Sequence, residues 1–456
     1  MTVAVLGAGV AGLVAGCELT SLGYDVRLIE ADSRVGGRIC THHFRCACGN
    51  AYGELGAMRI PGSHKCTLRY IEEANLQSRL IPFRGVFTEP NGIIDFSGRV
   101  TRVREVRGAT PRPDSIDDRR LAYLTDIRVV VHAVCPLRLR HHYDTIVEPL
   151  VVQLLDTFHN DDIDTPSSRL HAFRRLAPFL RQVDDRFRAV VDDILLELGE
   201  EIYTLRGGLS LLTESLAHRL GSRIKRNVSV TEIDCTGDVA EISLQDSSGG
   251  ASVLKADRII CTIPFSVLRR IPISGLPERQ IRRVRTLPYS PASKTLLHCR
   301  TRFWEQGGIR GGGSVNDRWI RQVFYPDSES SRSSCYCGVL LASYAIGDDA
   351  LRLANLEEQE RQSLIKEELA RFHPQIALPN MILSWKTMDW SEHRFSRGAY
   401  ASAWVDNHIP FDSSQDPVSG QLLTFAGEHC SSLGGWIEGA IQSALTCVAE
   451  VAGVRL

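Results

Sequence analysis

The sequence predicts a mixed α/β chain: a parallel βαβ unit at its start, a helical insertion near its middle and a mixed sheet beyond. Three observations predict it. Thr2-Val3-Ala4-Val5-Leu6 is a short apolar run, of the kind that forms a buried parallel strand, and it leads directly into glycines and an apolar helical stretch. Residues from about Thr101 to Glu200 carry helical periodicity, clearest over Leu176 to Leu198, with little β-branched clustering. From Ile271 to about Ser414 alternating strand patterns dominate, around a glycine-rich loop at Gly307 to Gly313 and a helix over Asn355 to Phe372.

Residues 1–38 organise the rest. Gly7-Ala8-Gly9-Val10-Ala11-Gly12 is a G-x-G-x-x-G that opens a helix ending near Ser21; Gly23 breaks it, and Tyr24 to Ile29 forms a second strand ending in Glu30. Gly7 permits the tight turn, Gly9 lets a pyrophosphate approach the backbone, and Gly12 lets helix and strand pack closely. With Ala11 they make the phosphate side of a dinucleotide site facing a helix N-terminus. Glu30 falls about twenty residues on, where an acid accepts hydrogen bonds from a ribose, which favours FAD or NAD over NADP. In Arg34-Val35-Gly36-Gly37-Arg38 the glycines allow close backbone contact with a cofactor, and the arginines supply positive forks for phosphate.

A chain of 456 residues is long enough for two or three domains. Its net charge of −1 gives no reason to expect nucleic acid or an anionic membrane as partner. The first strand begins at once, so no signal peptide is expected, and no apolar run approaches the roughly twenty residues of a membrane span. Thirteen scattered cysteines fit reduced thiols in the cytoplasm better than a disulfide framework. The close pairs, Cys46-Ala47-Cys48 and Cys335-Tyr336-Cys337, are C-x-C rather than the C-x-x-C of a zinc site, so no metal is expected.

Further along, Gly53 to Pro61 is irregular, which keeps Arg59 off a regular helix face, and His64 to Leu80 reads as an amphipathic helix with Leu68, Ile71, Ala74 and Leu76 inward. The insertion opens with a loop over Gly108 to Asp118, and its His132, His141, His142, His159 and His171 read as exposed or structural rather than catalytic. After Arg206-Gly207-Gly208 come a helix over Leu209 to Leu220, a strand over Ile224 to Ile233, and a hairpin of Val239–Gln245 and Ser252–Ile260 about Ser247 to Gly250. Pro264 closes that region. Leu422 to Glu428 forms a last strand, Ser432 to Gly435 turns, and Trp436 to Val451 is a helix with Ile437, Ile441, Leu445 and Val448 on one face. The resulting domains are a nucleotide-binding one in three pieces (1–56, 206–270, 415–456), a substrate domain in two (57–100, 271–414) and a helical domain (101–205).

Five segments carry a resemblance over most of the chain: the fingerprint through Arg38, Gly56 to Pro61, Ser293-Lys294 through Phe303-Trp304-Glu305, Tyr344 to Ala350, and Phe425 to Glu428 through Gly435-Trp436-Ile437. In this order they resemble the flavin amine oxidase superfamily, and within it the L-amino-acid oxidases. The resemblance implies a two-dinucleotide-binding-domain flavoprotein fold and FAD as cofactor. It implies that Arg59 binds the substrate carboxylate with help from the Tyr344 hydroxyl, that the Gly435 carbonyl receives the amine, and that Trp436 lines the cage. Lys294 matches the lysine that holds a water near the flavin, and Trp390 the tryptophan that packs near its ring. Glu428 matches the acid on the ribityl chain and Val230 the position on the adenine; Met58, Gly427 and Ile437 join the cofactor contacts. The last helix would point its N-terminus at the pyrimidine end and stabilise negative charge there. Ala399, in Ser396 to Tyr400, stands where monoamine oxidases carry the cysteine that bonds the flavin, which implies non-covalent FAD. The implied reaction is oxidation of an L-amino acid by hydride transfer from Cα to flavin N5, giving the 2-oxo acid and ammonia, with O2 converted to hydrogen peroxide. Rivals are a monooxygenase yielding an amide and an amine or polyamine oxidase; Arg59 and Tyr344 argue against the latter, whose substrate has no carboxylate. The resemblance also suggests a homodimer.

Overall fold

The computed structural model describes residues 1–46, 51–86, 89–96, 98–107, 201–326, 336–402 and 422–453, with scattered positions between 128 and 149. Strand β1 (Thr2–Leu6) turns through Gly7 into helix α1 (Val10–Ser21) and returns as β2 (Asp25–Ile29). A short hairpin, β3 (Thr41–His43) and β4 (Tyr52–Glu54), leads to α2 (Lys65–Glu73). Beyond the insertion lie α3 (Ser210–Leu220), β5 (Ile224–Lys225) and β6 (Arg258–Cys261). Then come β7 (Ala292–Cys299), β8 (Gly338–Ile346), β9 (Ile382–Asp389), β10 (Leu423–Phe425) and α4 (Ile437–Ala452).

The parallel sheet has the order β5-β2-β1-β6-β10, so strands from the beginning, middle and end of the chain make one layer. Val3, Val5, Leu13, Val14 and Leu28 are fully buried in its core with Leu212 and Ile441, each worth about 1.5–3 kcal/mol of burial for a side chain of that size. Helix α1 packs against both α3 and α4. Gly12 is required here: a Cβ would come within 1.9 Å of the Gly7 carbonyl oxygen.

The second large sheet has seven strands, β9-β7-β8 followed by Gln322–Phe324, Gly313–Asn316, Ile93–Phe96 and Arg99–Arg102. All its pairs are antiparallel except Gly313–Asn316 with Ile93–Phe96. Strand β7 is buried along its whole length, which suits its apolar Leu296-Leu297 centre. The expected mixed α/β architecture with a mixed-sheet second region is therefore present.

Several element boundaries differ from the sequence reading, each for a local reason. The stretch Ile224–Ile233 is two strands: Asn227 adopts φ 59°, turning the chain, so β5 joins the parallel sheet and Val228–Asp234 a separate four-stranded one. Ser252–Ile260 also splits. Its first part, Ala251–Ala256, pairs in the expected hairpin with Ala240–Asp246, whereas Asp257 exchanges hydrogen bonds with the Thr2 backbone and hands the chain to β6. The His64–Leu80 helix stops at Glu73, before Asn75 at φ 57°. The helix expected from Asn355 starts at Glu358, set by a capping box of Glu357 and Glu360, with a separate helix over Asp348–Ala354 and another, unexpected, over Glu278–Thr286. Ile202–Leu205, at the end of the expected helical domain, is a strand held between Ile60–Pro61 and Leu80–Pro82. Leu176 to Leu198, the Gly108–Asp118 loop, His142, His159, His171, Cys48 and Cys335 lie outside the described residues. Among the described residues no helix is long and apolar enough to cross a membrane.

Candidate active site

A cavity of about 400 Å3 opens at the C-terminal ends of β1, β2, β6 and β10, where open parallel sheets bind their ligands. It is lined by Gly7, Gly9, Ala11, Glu30, Gly36, Gly37, Arg38 and Val230, and by Lys294, Tyr344, Trp390, Gly427, Glu428, Gly435, Trp436 and Ile437. Most of the residues singled out in the sequence thus face a common space. Gly12 does not; it serves the packing of α1 on the β1 turn.

At the nucleotide end, Gly7 adopts φ 104° and its amide donates to the Ile29 carbonyl at 2.8 Å, tying the ends of β1 and β2. Helix α1 begins at Gly9 with no side-chain cap and no acid in its first turn, so its amide groups are left for a ligand. The second glycine turn lies directly on the first: Gly36 donates to the Ala8 carbonyl at 2.8 Å, and a Cβ on Gly37 would stand 3.2 Å from the Gly9 Cα. Glu30 is buried, and its two oxygens accept from the Ala8 amide at 2.6 Å and the Asp32 amide at 2.8 Å. Burial pushes its carboxyl above the ordinary glutamate value, with those amides pulling the other way. Each oxygen keeps a second lone pair for a ribose hydroxyl.

Both arginines of the second turn line the cavity, and each also braces the protein itself. Arg34 donates to the carbonyls of Gly37 and Ile39, bracing its own loop. Arg38 donates to Glu428 at 2.5 Å and to the Ala399 carbonyl at 3.0 Å, linking the N-terminal fingerprint to the last strand's end. Burial alone would raise the Glu428 carboxyl; the Arg38 guanidinium, with His429 and the Gly435 amide, brings it below its ordinary value. Glu428 also accepts from the Gly435 amide at 2.8 Å, which fixes the φ 82° turn into α4. Glu428 therefore holds the end of the chain in place as well as facing the cavity.

At the other end, Lys294 and Tyr344 are direct cross-strand partners on β7 and β8. The Lys294 Nζ donates to the Gly56 carbonyl at 2.6 Å and lies 4.6 Å from the Tyr344 ring centroid. Burial drives the Lys294 ammonium well below the ordinary lysine value; Glu54 opposes this, and the Arg59 charge adds to it. Trp390 is buried, its Nε1 donating to the Leu55 carbonyl at 2.9 Å. Trp436 caps α4 and meets the His64 ring edge to face at 5.1 Å. Ala399 and Tyr400 line the cavity beside them. Met58 lines a smaller, neighbouring cavity of about 150 Å3, with Tyr52, Glu54, Phe83, Phe324 and Leu341. Arg59 lines neither, sitting just before Ile60–Pro61 within electrostatic reach of Lys294.

Three residues absent from the sequence reading support this arrangement. Glu54 accepts from the Leu209 amide at 2.7 Å and from the Thr41 hydroxyl, and burial raises its carboxyl. Glu438, in the first turn of α4, accepts from the amides of Cys66 and Thr67 at 3.0 and 2.8 Å and so caps α2. The Thr262 hydroxyl donates to the carbonyls of Leu6 and Gly7 under the first turn. Glu54 stands inside the Gly53-Glu54-Leu55-Gly56 run and Thr262 just after a strand, signals the sequence did contain.

The glycine turns, the uncapped start of α1, the buried Glu30 carboxylate and the extended cavity fit a dinucleotide. Comparison with known proteins agrees. The family model for flavin containing amine oxidoreductases matches residues 10–452. The chain is 34% identical to the flavin-dependent L-tryptophan oxidase RebO of Lentzea aerocolonigenes, covering 98% of this chain and 97% of that one. It is 26% identical to an L-amino-acid oxidase of Crotalus adamanteus, over 98% and 86%. Among solved structures, a putrescine oxidase redesigned for cofactor binding superposes with a TM-score of 0.70 at 19% identity, over 99% of this chain and 100% of that one. A cyclohexylamine oxidase of Brevibacterium oxydans gives 0.68 at 18%, over 99% and 98%. Those two share the fold, and the family match spans almost the whole sequence: the chain belongs to the flavin containing amine oxidoreductases, with FAD as its cofactor.

Proposed function

We propose that the protein is an FAD-dependent L-amino-acid oxidase, converting an L-amino acid to its 2-oxo acid with release of ammonia and hydrogen peroxide. The observation that carries this reading is the facing pair Lys294 and Tyr344, set in the cavity wall against Gly435 and Trp436, with the Arg59 charge close behind. A site for a simple amine has no use for an arginine charge held within reach of Lys294. A carboxylate has, because a planar guanidinium holds it bidentately.

FAD supplies the hydride acceptor and the route of the electrons to O2. The chain does the rest. Arg59 and the Tyr344 hydroxyl hold the substrate carboxylate, and the Gly435 carbonyl accepts a hydrogen bond from the amine; together they fix the Cα–H bond in one orientation. Trp436 and Tyr400 exclude water from the two faces of the amine. Lys294, biased by burial toward its neutral form, holds a water at the reacting end for hydrolysis of the imine product or for handling protons. The N-terminus of α4 presents partial positive charge where negative charge develops.

Ala399 supports non-covalent FAD, so denaturation should release free flavin. The scattered cysteines support a cytoplasmic setting, the N-terminal βαβ unit a Rossmann-type dinucleotide half, and the family resemblance a homodimer. The name of the 34%-identical relative makes L-tryptophan the first substrate to try, and the Phe83 and Phe324 rings, 5.6 Å apart beside the smaller cavity, suit an aromatic side chain. The test is anaerobic bleaching of the bound flavin by individual L-amino acids, with simple amines as controls. Bleaching by amino acids, then peroxide and 2-oxo acid on admitting air, is the expected result. An amide product would instead mean a monooxygenase, and bleaching by amines alone would overturn the reading.

A further inference from the structure

One cysteine from each Cys-x-Cys pair set aside on spacing, Cys46 and Cys337, is brought to the other by the fold. Cys46 lies just past β3 and Cys337 just before β8, and their Sγ atoms stand 3.0 Å apart across 291 residues of sequence. His298 on β7 is the third member, and one ligand atom from each of the three lies within 4.8 Å of the others. The sheet register explains the meeting: His298 pairs with Val339 and Cys299 with Gly338, so the imidazole sits beside the end of β8 that Cys337 leads into. His298 is 4% exposed, and its Nε2 makes no hydrogen bond. Phe44, two residues before Cys46, packs its ring against the imidazole at 5.4 Å. A buried nitrogen left without a partner is destabilising. Such a cost is tolerated where something else completes it.

We infer that Cys46, His298 and Cys337 form a binding site for a thiophilic divalent cation of the Zn2+ type, which clips the β3–β4 arm to the mixed sheet. Two thiolates and an imidazole are a zinc donor set, and two thiolate charges neutralise the ion. Zinc bonds of about 2.3 Å to sulfur and 2.0 Å to nitrogen put ligand atoms about 3.5–3.8 Å apart, so the sulfurs have to separate by less than about 1 Å. Water takes the fourth position. Closing the same sulfurs into a disulfide requires a comparable approach, to about 2.05 Å, but leaves His298 Nε2 as it was. The imidazole therefore decides for the cation. Cys46 and Cys337 are only part-buried, which gives the ion a way in. None of the three residues lines the larger cavity, although Cys337 also lines the smaller one, so the test reads stability at constant flavin content.

The holoenzyme, stripped with a chelator, is titrated with Zn2+ and followed by metal analysis and by thiol alkylation with peptide mapping. The expected result is about one Zn2+ retained per chain, with Cys46 and Cys337 protected and the Tm rising with Zn2+ at constant flavin content. Cys46→Ser and Cys337→Ser should abolish retention, and His298→Asn should weaken it at least about tenfold. If the variants misfold, the alkylation map of the unaltered chain decides alone. No retained Zn2+, protection confined to other cysteines, or a Cys46–Cys337 disulfide in the non-reduced map overturns the proposal.

Discussion

At the nucleotide end of the cavity, Gly7, Gly9, Glu30 and Gly36 come from one short stretch, and nearly every contact between them is backbone: glycine on glycine, amide on carboxylate. At the reacting end, Lys294, Tyr344, Gly435 and Trp436 come from three separate stretches, and side chains project from a sheet and a helix start. The first end is specified by shape and fails when a methyl group is added. The second is specified by chemistry and fails when a functional group is removed. Binding FAD and oxidising a substrate are thus separable by mutation, with the Arg38–Glu428 pair as the link between them.

The sharpest way to break this division is Gly12→Ala. Its Cβ would meet backbone at 1.9 Å, which no rotamer change relieves. We expect a loss on the order of 3 kcal/mol or more and little flavin-loaded protein, measured by the flavin-to-protein absorbance ratio and the Tm. Normal flavin content in this variant would remove the packing argument. Lys294→Met should act at the other end: full flavin content, with kcat/KM lower by on the order of a hundredfold or more. If flavin is lost instead, Lys294 is holding the Gly56 turn rather than serving the reaction. Arg59→Ala should be milder, removing a charged hydrogen bond worth about 1.5–3 kcal/mol, or tenfold to about a hundredfold in kcat/KM for amino acids. Turnover of the matching decarboxylated amine should not fall with it. An equal loss on both substrates would disprove a carboxylate role.

The same division explains what was legible in the sequence. The nucleotide end could be read because its parts are adjacent and its glycines have fixed jobs; Gly12 and Glu30 lie where the motif puts them. At the reacting end no local pattern joins Lys294 to Tyr344. Only a resemblance named them, and their opposition arises from β7–β8 register. That Arg34 and Arg38 also brace carbonyls and a carboxylate was not legible, because a sequence does not show which groups a long side chain will reach. Strand ends failed where one stretch serves two sheets: Asn227 and Asp257 are the switching residues, and the short polar runs around them, Lys225-Arg226-Asn227 and Asp257-Arg258, also read as the exposed face of a continuing strand. Glu54 and Glu438 were missed since an acid that satisfies distant backbone amides looks like any surface charge until the fold buries it.

The smallest effect tests the link itself, through pH. His429 is buried against Phe265, ring centroids 4.4 Å apart, and burial pushes it down to about 4. Its folded value lies below the ordinary 6.5, so between these the unfolded chain binds a proton that the folded chain refuses, and stability falls as pH drops from 6.5 toward 4. Glu428, held below its ordinary 4.5 mainly by Arg38 against the effect of burial, contributes stability that is present above 4.5 and lost as pH falls through its folded value. Both losses act at the Arg38–Glu428 contact that ties β10 and α4 to the N-terminal fingerprint, Glu428 directly and His429 as its chain neighbour packed on Phe265. Flavin release should therefore follow unfolding on acidification, in two steps. His429→Phe, which keeps an aromatic ring beside Phe265, should flatten the Tm curve between pH 6.5 and 4. Glu428→Gln should flatten it only below about 4.5 while lowering the plateau, since Arg38 would then face a neutral partner. A Tm profile unchanged by both substitutions would mean that the acid limit is set elsewhere and that the two ends of the cavity are coupled by packing rather than by this ion pair.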